Sequence, residues 1–218
     1  MPITLTRTDA CNLLLAVQGL LVPPAAPATK PDVLAAIRRM GVLQIDTIQV
    51  VARSPYLVLF ARLGEYDPAW LDEHLAEGRL FEHWSHAACF IPIEDYHIQR
   101  HFMLAGVHGW LDAPAWIEAH RELVDAILAR IRAEGGLRSA DFEAKKPVGG
   151  WWNWKDEKVA LEVLLTTGQV MVARREKFQR VYDLPERVLP GWDGLPVPSA
   201  EEVRRERVLR SVEKLGAA

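Results

Sequence analysis

The stretch Lys155-Asp-Glu-Lys-Val-Ala-Leu-Glu-Val-Leu-Leu-Thr-Thr-Gly-Gln-Val-Met-Val-Ala-Arg-Arg-Glu-Lys-Phe-Gln-Arg-Val-Tyr-Asp183 decides the fold. Val159, Val163 and Leu164 recur at helical spacing, so Lys155 to Thr167 is predicted to be a helix that Gly168 ends. Beyond the glycine the pattern changes. Val170-Met-Val-Ala173 and Phe178-Gln-Arg-Val-Tyr182 read as short strands joined by a charged turn. Upstream, Leu123, Ile127, Leu128 and Ile131 form another apolar stripe that Gly135-Gly136 breaks, and Ser139 can cap a short helix over Ala140 to Ala144. Helix, helix, helix and β-hairpin is the winged-helix order, a variant of helix-turn-helix. The fold class expected is mainly α with small β-hairpins.

Further out, Thr6-Arg-Thr-Asp9 supplies a helix start for Ala10 to Gly19, and Pro23-Pro-Ala-Ala-Pro27 breaks the chain. Pro31 opens a second helix with Val33, Leu34, Ile37 and Met40 on one face, ended by Gly41. Val42 to Ile45 follow as a short extended piece. Tyr56 to Leu63 reads as helix, and Asp67-Pro68 opens another that runs to Glu77. Leu80 to Ile93 has room for a strand pair, and Glu94 to Ala133 is helix-rich with interruptions at Gly109 and Pro114. Residues 184 to 198 are Pro-rich and read as a linker. Ser199 and Glu202 form a capping box for a last helix, whose Val208, Leu209, Val212 and Leu215 want a partner.

Half of the 218 residues are hydrophobic, enough for a sizeable core, and the net charge is −3 with a pI near 6.2. That is not the balance of a typical nucleic-acid binder. The acid is concentrated early: residues 1–120 carry 8 Lys and Arg against 13 Asp and Glu, residues 121–218 carry 18 against 16. Only local basic clusters could serve DNA. Cys11 and Cys89 have no metal spacing and read as buried free thiols of a reducing compartment. Arg7 and Asp9 precede the first apolar stretch, so no signal peptide or membrane anchor is expected, and a cytoplasmic protein is. A Gly-rich phosphate loop, a His-Glu-x-x-His motif and clustered cysteines are missing, so neither a cofactor nor a metal is expected.

Gln44 and Asp46 sit two residues apart in the otherwise apolar run Val42 to Ile48. On an extended chain they point the same way. A carboxylate on a greasy surface is costly unless something satisfies or uses it. From the residues alone the favoured reading is structural: Asp46 caps the next turn and Gln44 bonds backbone. The other reading is a site. In His83-Trp-Ser-His86, a metal lacks further ligands and a Ser-His nucleophile lacks geometry, because neighbours on a strand face opposite ways. Trp84 then reads as core, with the histidines on backbone or solvent. In Trp151-Trp-Asn-Trp154 at least one tryptophan is expected in the core, Asn153 caps the following helix, and Trp152 is a candidate for stacking on bases. Arg174, Arg175, Lys177 and Arg180 surround the hairpin turn. They are either a solvated charge run or, on a wing, phosphate contacts, with Arg53 as a further candidate.

The runs Leu43-Gln-Ile-Asp-Thr-Ile48 and Val51-Ala-Arg-Ser-Pro-Tyr-Leu-Val-Leu59 resemble the crosslink-repair DNA glycosylases, in the branch with a Gln-apolar-Asp motif. Glu82-His-Trp-Ser-His-Ala-Ala-Cys-Phe-Ile-Pro92, Trp151 to Trp154 and Gly168 to Asp183 match the same family in order. The resemblance implies tandem winged-helix domains: residues 1–118 with the Gln-Ile-Asp motif, 119–190 as a second domain, and 191–218 as linker and first helix of a missing module. Family members are nearly twice as long, with a third winged helix and a C-terminal β-barrel. It also implies a monofunctional DNA glycosylase that removes alkylated purines, unhooks interstrand crosslinks and works as a monomer on double-stranded DNA near a bacterial nucleoid. Gln44 and Asp46 would be catalytic, and His86 a cleft residue that contacts DNA or orients them. A purine tethered to the other strand cannot turn freely into a closed pocket, so an open cleft is expected. The alternative is a non-enzymatic winged-helix DNA-binding protein or transcription regulator. Lys155-Asp-Glu-Lys158 is poor in base-reading residues, which weighs against it.

Overall fold

The computed structural model describes residues 4–24, 26–106, 112–142, 156–191 and 194–216. Helix α1 (Arg7–Val17) starts on the Thr6–Asp9 capping box, and α2 (Lys30–Met40) on a second box made by Thr29 and Asp32, with Pro31 in its first turn. Val33, Leu34 and Ile37 of α2 are buried as their spacing predicts. Gly41 takes φ 86°, which ordinary side chains rarely adopt, and turns the chain into β1 (Leu43–Gln44). There follow α3 (Ser54–Leu63), α4 (Ala69–Ala76) and the hairpin of β2 (Leu80–Trp84) and β3 (Ala88–Pro92). A single 3-10 turn leads into α5 (Tyr96–Ala105). Pro114 does not interrupt a helix; it lies in the first turn of α6 (Ala113–Ala119), where a missing N–H costs nothing.

In the second half come α7 (Arg121–Glu134), β4 (Leu137–Arg138), α8 (Asp156–Thr166), β5 (Met171–Glu176) and β6 (Gln179–Asp183). Where a short helix was expected from Ala140, a 3-10 turn over Ser139–Asp141 is held by Asp141 accepting from the Arg138 N–H. Residues 184–191 are more than a linker: α9 (Pro185–Val188) sits between buried Leu184 and Leu189. The last helix, α10 (Ala200–Leu215), is capped by Ser199 and Glu202 as expected.

Each half contains a three-stranded antiparallel sheet, ordered β1-β3-β2 in the first and β4-β6-β5 in the second. One core joins them: Val33, Ile37, Leu59, Leu71 and Phe90 belong to the same buried cluster as Ile127, Ile131, Leu161, Leu164 and Val172. Each such side chain contributes about 1.5–3 kcal/mol by leaving water. Helix α10 folds back onto the first half. Lys214 Nζ donates to the Arg38 carbonyl (2.6 Å), Gln18 donates to the Lys214 carbonyl (2.7 Å), and His97 meets Glu206 (3.0 Å). Its Val208, Leu209, Val212 and Leu215 stay exposed. Cys11 is exposed rather than buried, because α1 buries none of its residues, while burial pushes the Cys89 thiol up to about 11.

Candidate active site

Strand β1 lies on the edge of the first sheet, with Leu43 opposite Phe90 and Gln44 opposite Cys89. The Ile45 N–H donates to the Ala88 carbonyl (2.8 Å), which extends the pairing one residue further. Leu43 and Ile45 are buried, so alternation turns Gln44 and Asp46 outward together, as the sequence predicts. Gln44 is exposed and Asp46 half-buried.

His86 reaches this edge from the β2–β3 turn. Its Nε2–H donates to Gln44 Oε1 at 3.0 Å, so the Gln44 amide is left presenting N–H donors. Asp46 Oδ1 accepts the Ile48 N–H at 2.9 Å, the local cap that the residues alone suggested. One backbone donor leaves most of a carboxylate's acceptor capacity for a ligand. Around the pair, Trp84, Ser85 and His86 are all exposed. Trp84 is therefore not the core residue expected. The buried member of that block is His83, whose ring nitrogens meet the carbonyls of Trp84 (3.1 Å) and Thr166 (3.2 Å).

The loop after Asp46 is closed by a bridge between Gln49 and Arg53. It carries Ile48, Val50 and Val51 at 71, 89 and 84% exposure. Arg53, at the start of α3, lays its guanidinium 4.0 Å over the Phe178 ring, so it is directed at the second half rather than at open solvent.

Phe178 shares a two-residue hairpin turn with Lys177, and both take positive φ, 50° and 68°. Strand β5 thus stays extended through Glu176, further than the charged sequence suggested. Alternation then separates neighbours. Arg174 and Lys177 stay exposed, Arg174 beside Glu176 at 2.7 Å. Arg175 turns inward and donates from Nε (3.0 Å) and Nη2 (2.9 Å) to the fully buried carboxylate of Glu82. Arg180 bonds the same carboxylate and Glu162. Arg175 and Arg180, expected among the solvated wing cations, are internal partners of Glu82. Burial opposes the Arg180 charge, but the carboxylates of Glu82 and Glu162 outweigh it and hold the guanidinium above its ordinary range.

Glu82 and Phe178 were missed as organising residues. The signal was a lone glutamate inside Leu80-Phe-Glu-His-Trp84, which needs buried cations somewhere in the chain. Trp152 lies outside the described residues, as do Trp151, Asn153 and Trp154. Among the described residues no three His, Cys, Asp or Glu side chains gather as a metal site, and no helix is long and apolar enough to cross a membrane.

Helices each time closed by a small antiparallel sheet, twice along one chain, define a protein of the tandem winged-helix class. The AlkZ-like DNA glycosylase family model matches residues 37–218, and the chain belongs to that family. Among solved structures it is similar to the Streptomyces sahachiroi DNA glycosylase AlkZ, with a TM-score of 0.60 and 14% identity. The match covers 98% of this chain and 58% of that one, so the chain spans little more than half the length of that protein.

Proposed function

We propose that this chain is a monofunctional DNA glycosylase that hydrolyses the N-glycosidic bond of alkylated purines, of the N7-alkylguanine type, in duplex DNA. The observation that carries this reading is the outward-facing pair on the sheet edge, Gln44 with its oxygen held by His86 and Asp46 with acceptor capacity to spare. An N7-alkylated purine already carries positive charge, so it leaves as a neutral base with the bond electrons and needs no general acid. The residues must then supply negative charge near the sugar C1′ and a placed water. Asp46 supplies the charge and takes the proton as the water oxygen bonds to C1′. The Gln44 amide orients that water without adding charge.

The open surroundings of the pair also suit a purine that is tethered across an interstrand crosslink, and unhooking such crosslinks is part of the proposal. Lys177 and Arg174, the latter paired with Glu176, are the exposed wing cations that would meet phosphate, whereas Arg175 and Arg180 shape the wing from inside. Contacts of that kind give salt-sensitive affinity without sequence preference. We assign residues 1–118 and 119–190 to the two winged-helix domains and 191–218 to the link and last helix, in a monomer working on nucleoid DNA. The Asp46–Ile48 cap favours the rival, a non-enzymatic winged-helix binding protein, because it gives the carboxylate a purely local task.

The test is base release from duplex DNA containing N7-methylguanine. Asp46→Asn is expected to lose about 100-fold or more, and Gln44→Ala about tenfold, with unchanged folding. A parent protein that binds the duplex and releases nothing, or an Asp46→Asn variant as active as the parent, sinks the reading.

A further inference from the structure

The loop between Asp46 and α3 ends in two valines that touch almost nothing. Val50 and Val51 are 89 and 84% exposed, more than any other large hydrophobic side chain among the described residues. The loop they crown is nevertheless fixed at both ends. On one side Ile45 is in the sheet and Asp46 holds the Ile48 N–H. On the other the Gln49–Arg53 bridge closes the loop, and Arg53 is stacked on Phe178. Valine side chains are short and stiff at χ1, so little entropy is lost when they are pressed against a surface. This is a firm apolar tip on an anchored base, not a loose loop.

We infer that Val50 and Val51 form a wedge that enters the DNA helix beside the damaged purine and opens a base step. The inference rests on the glycosylase reading of Gln44 and Asp46. Val50 is four positions beyond Asp46, and an extended chain covers at most about 14 Å over that distance. If the Asp46 carboxylate faces a sugar C1′, the tip must lie within roughly four base steps, at about 3.4 Å per step. Apolar side chains inserted between bases unstack them and kink the duplex. The hairpin that carries Phe178 presents Lys177 and Arg174 to solvent, which suits the same occupant, while Arg53 props the base of the loop. An opened step brings C1′ within reach without full extrusion of the base, which a crosslinked purine requires.

The test uses a duplex with 2-aminopurine next to a tetrahydrofuran abasic analogue. The parent protein is compared with the double variant Val50→Ser, Val51→Ser, whose changed side chains are exposed and whose melting temperature serves as the folding check. Binding of the parent is expected to raise the 2-aminopurine fluorescence, and the double variant, still bound, is expected not to. Base release from duplex N7-methylguanine is expected to fall about tenfold in the variant, while release from a single strand stays level, because only the duplex has a step to open. An equal fluorescence rise in both proteins, or no rise with the parent, overturns the wedge, as does a variant altered only in self-association. Asp46→Asn keeps the rise if the wedge is right. A valine-dependent rise without any base release would therefore overturn the glycosylase reading and leave the wedge standing.

Discussion

Two carboxylates, one within the first sheet and one just beyond its edge strand, are treated in opposite ways. Glu82 on β2 sits across from Phe90, whose other neighbour is Leu43, so this row faces the core and the second half of the chain. There Glu82 is wholly removed from water and held by Arg175 and Arg180. The next row, His83, Cys89 and Gln44, is buried for its first two members and open at the third, because β1 is an edge strand. Asp46 continues from that open edge with one backbone donor. A carboxylate that has all its partners within the chain is a joint. One with a single partner, held on a rigid edge, remains available for chemistry.

The contrast can be broken first at Glu82. Glu82→Ala leaves the buried Arg175 without its carboxylate and Arg180 with Glu162 alone, and a loss of about 3–5 kcal/mol in urea unfolding is expected. A variant of undiminished stability would mean that the joint does not hold the halves together. At the open edge the order of effects reverses: Asp46→Asn should spoil catalysis and leave stability alone. His86→Ala sharpens the same point, because it removes one hydrogen bond from Gln44. About a fivefold to tenfold slower base release is expected, with an unchanged melting temperature, as suits a bond of about 1 kcal/mol. The smallest effect belongs to a pair at the surface, Arg138 and Asp141. Hydrogen bonds from Arg138 hold the Asp141 carboxyl down at about 2 from its ordinary 3.8. Its folded pKa is the lower one, so the stabilisation is complete above about 3.8 and fades as pH falls toward about 2. Melting curves of the parent and Asp141→Asn should differ slightly at neutral pH and converge at the acid end.

Much of the fold was legible because its signals are local. The Thr6–Asp9 and Ser199–Glu202 boxes, the glycine stops at Gly41, Gly64 and Gly168, and the face of α2 depend only on near neighbours. Strands Leu43–Gln44 and Leu137–Arg138 are too short to show alternation, so only pairing defines them. Gln44 and Asp46 could be placed on one face because Leu43 and Ile45 anchor the other. The His86 contact could not be derived, since it needs the β2–β3 turn folded beside β1. Nor could the fate of Arg175, whose partner Glu82 is 93 positions away. The exposure of Trp84 and the burial of His83 reversed the usual preference because register, not hydrophobicity, assigned their faces.

The Glu82 joint also has a consequence in time. In a chain made from its N-terminus, Glu82 exists long before Arg180, which follows 98 residues later. At about 5–20 residues per second, that is a wait of roughly 5–20 s with a carboxylate aimed into a core that has no counterion for it. Until the hairpin arrives Glu82 lacks both of its guanidinium partners, so the face of the first sheet that carries it can be sealed only when the second half docks.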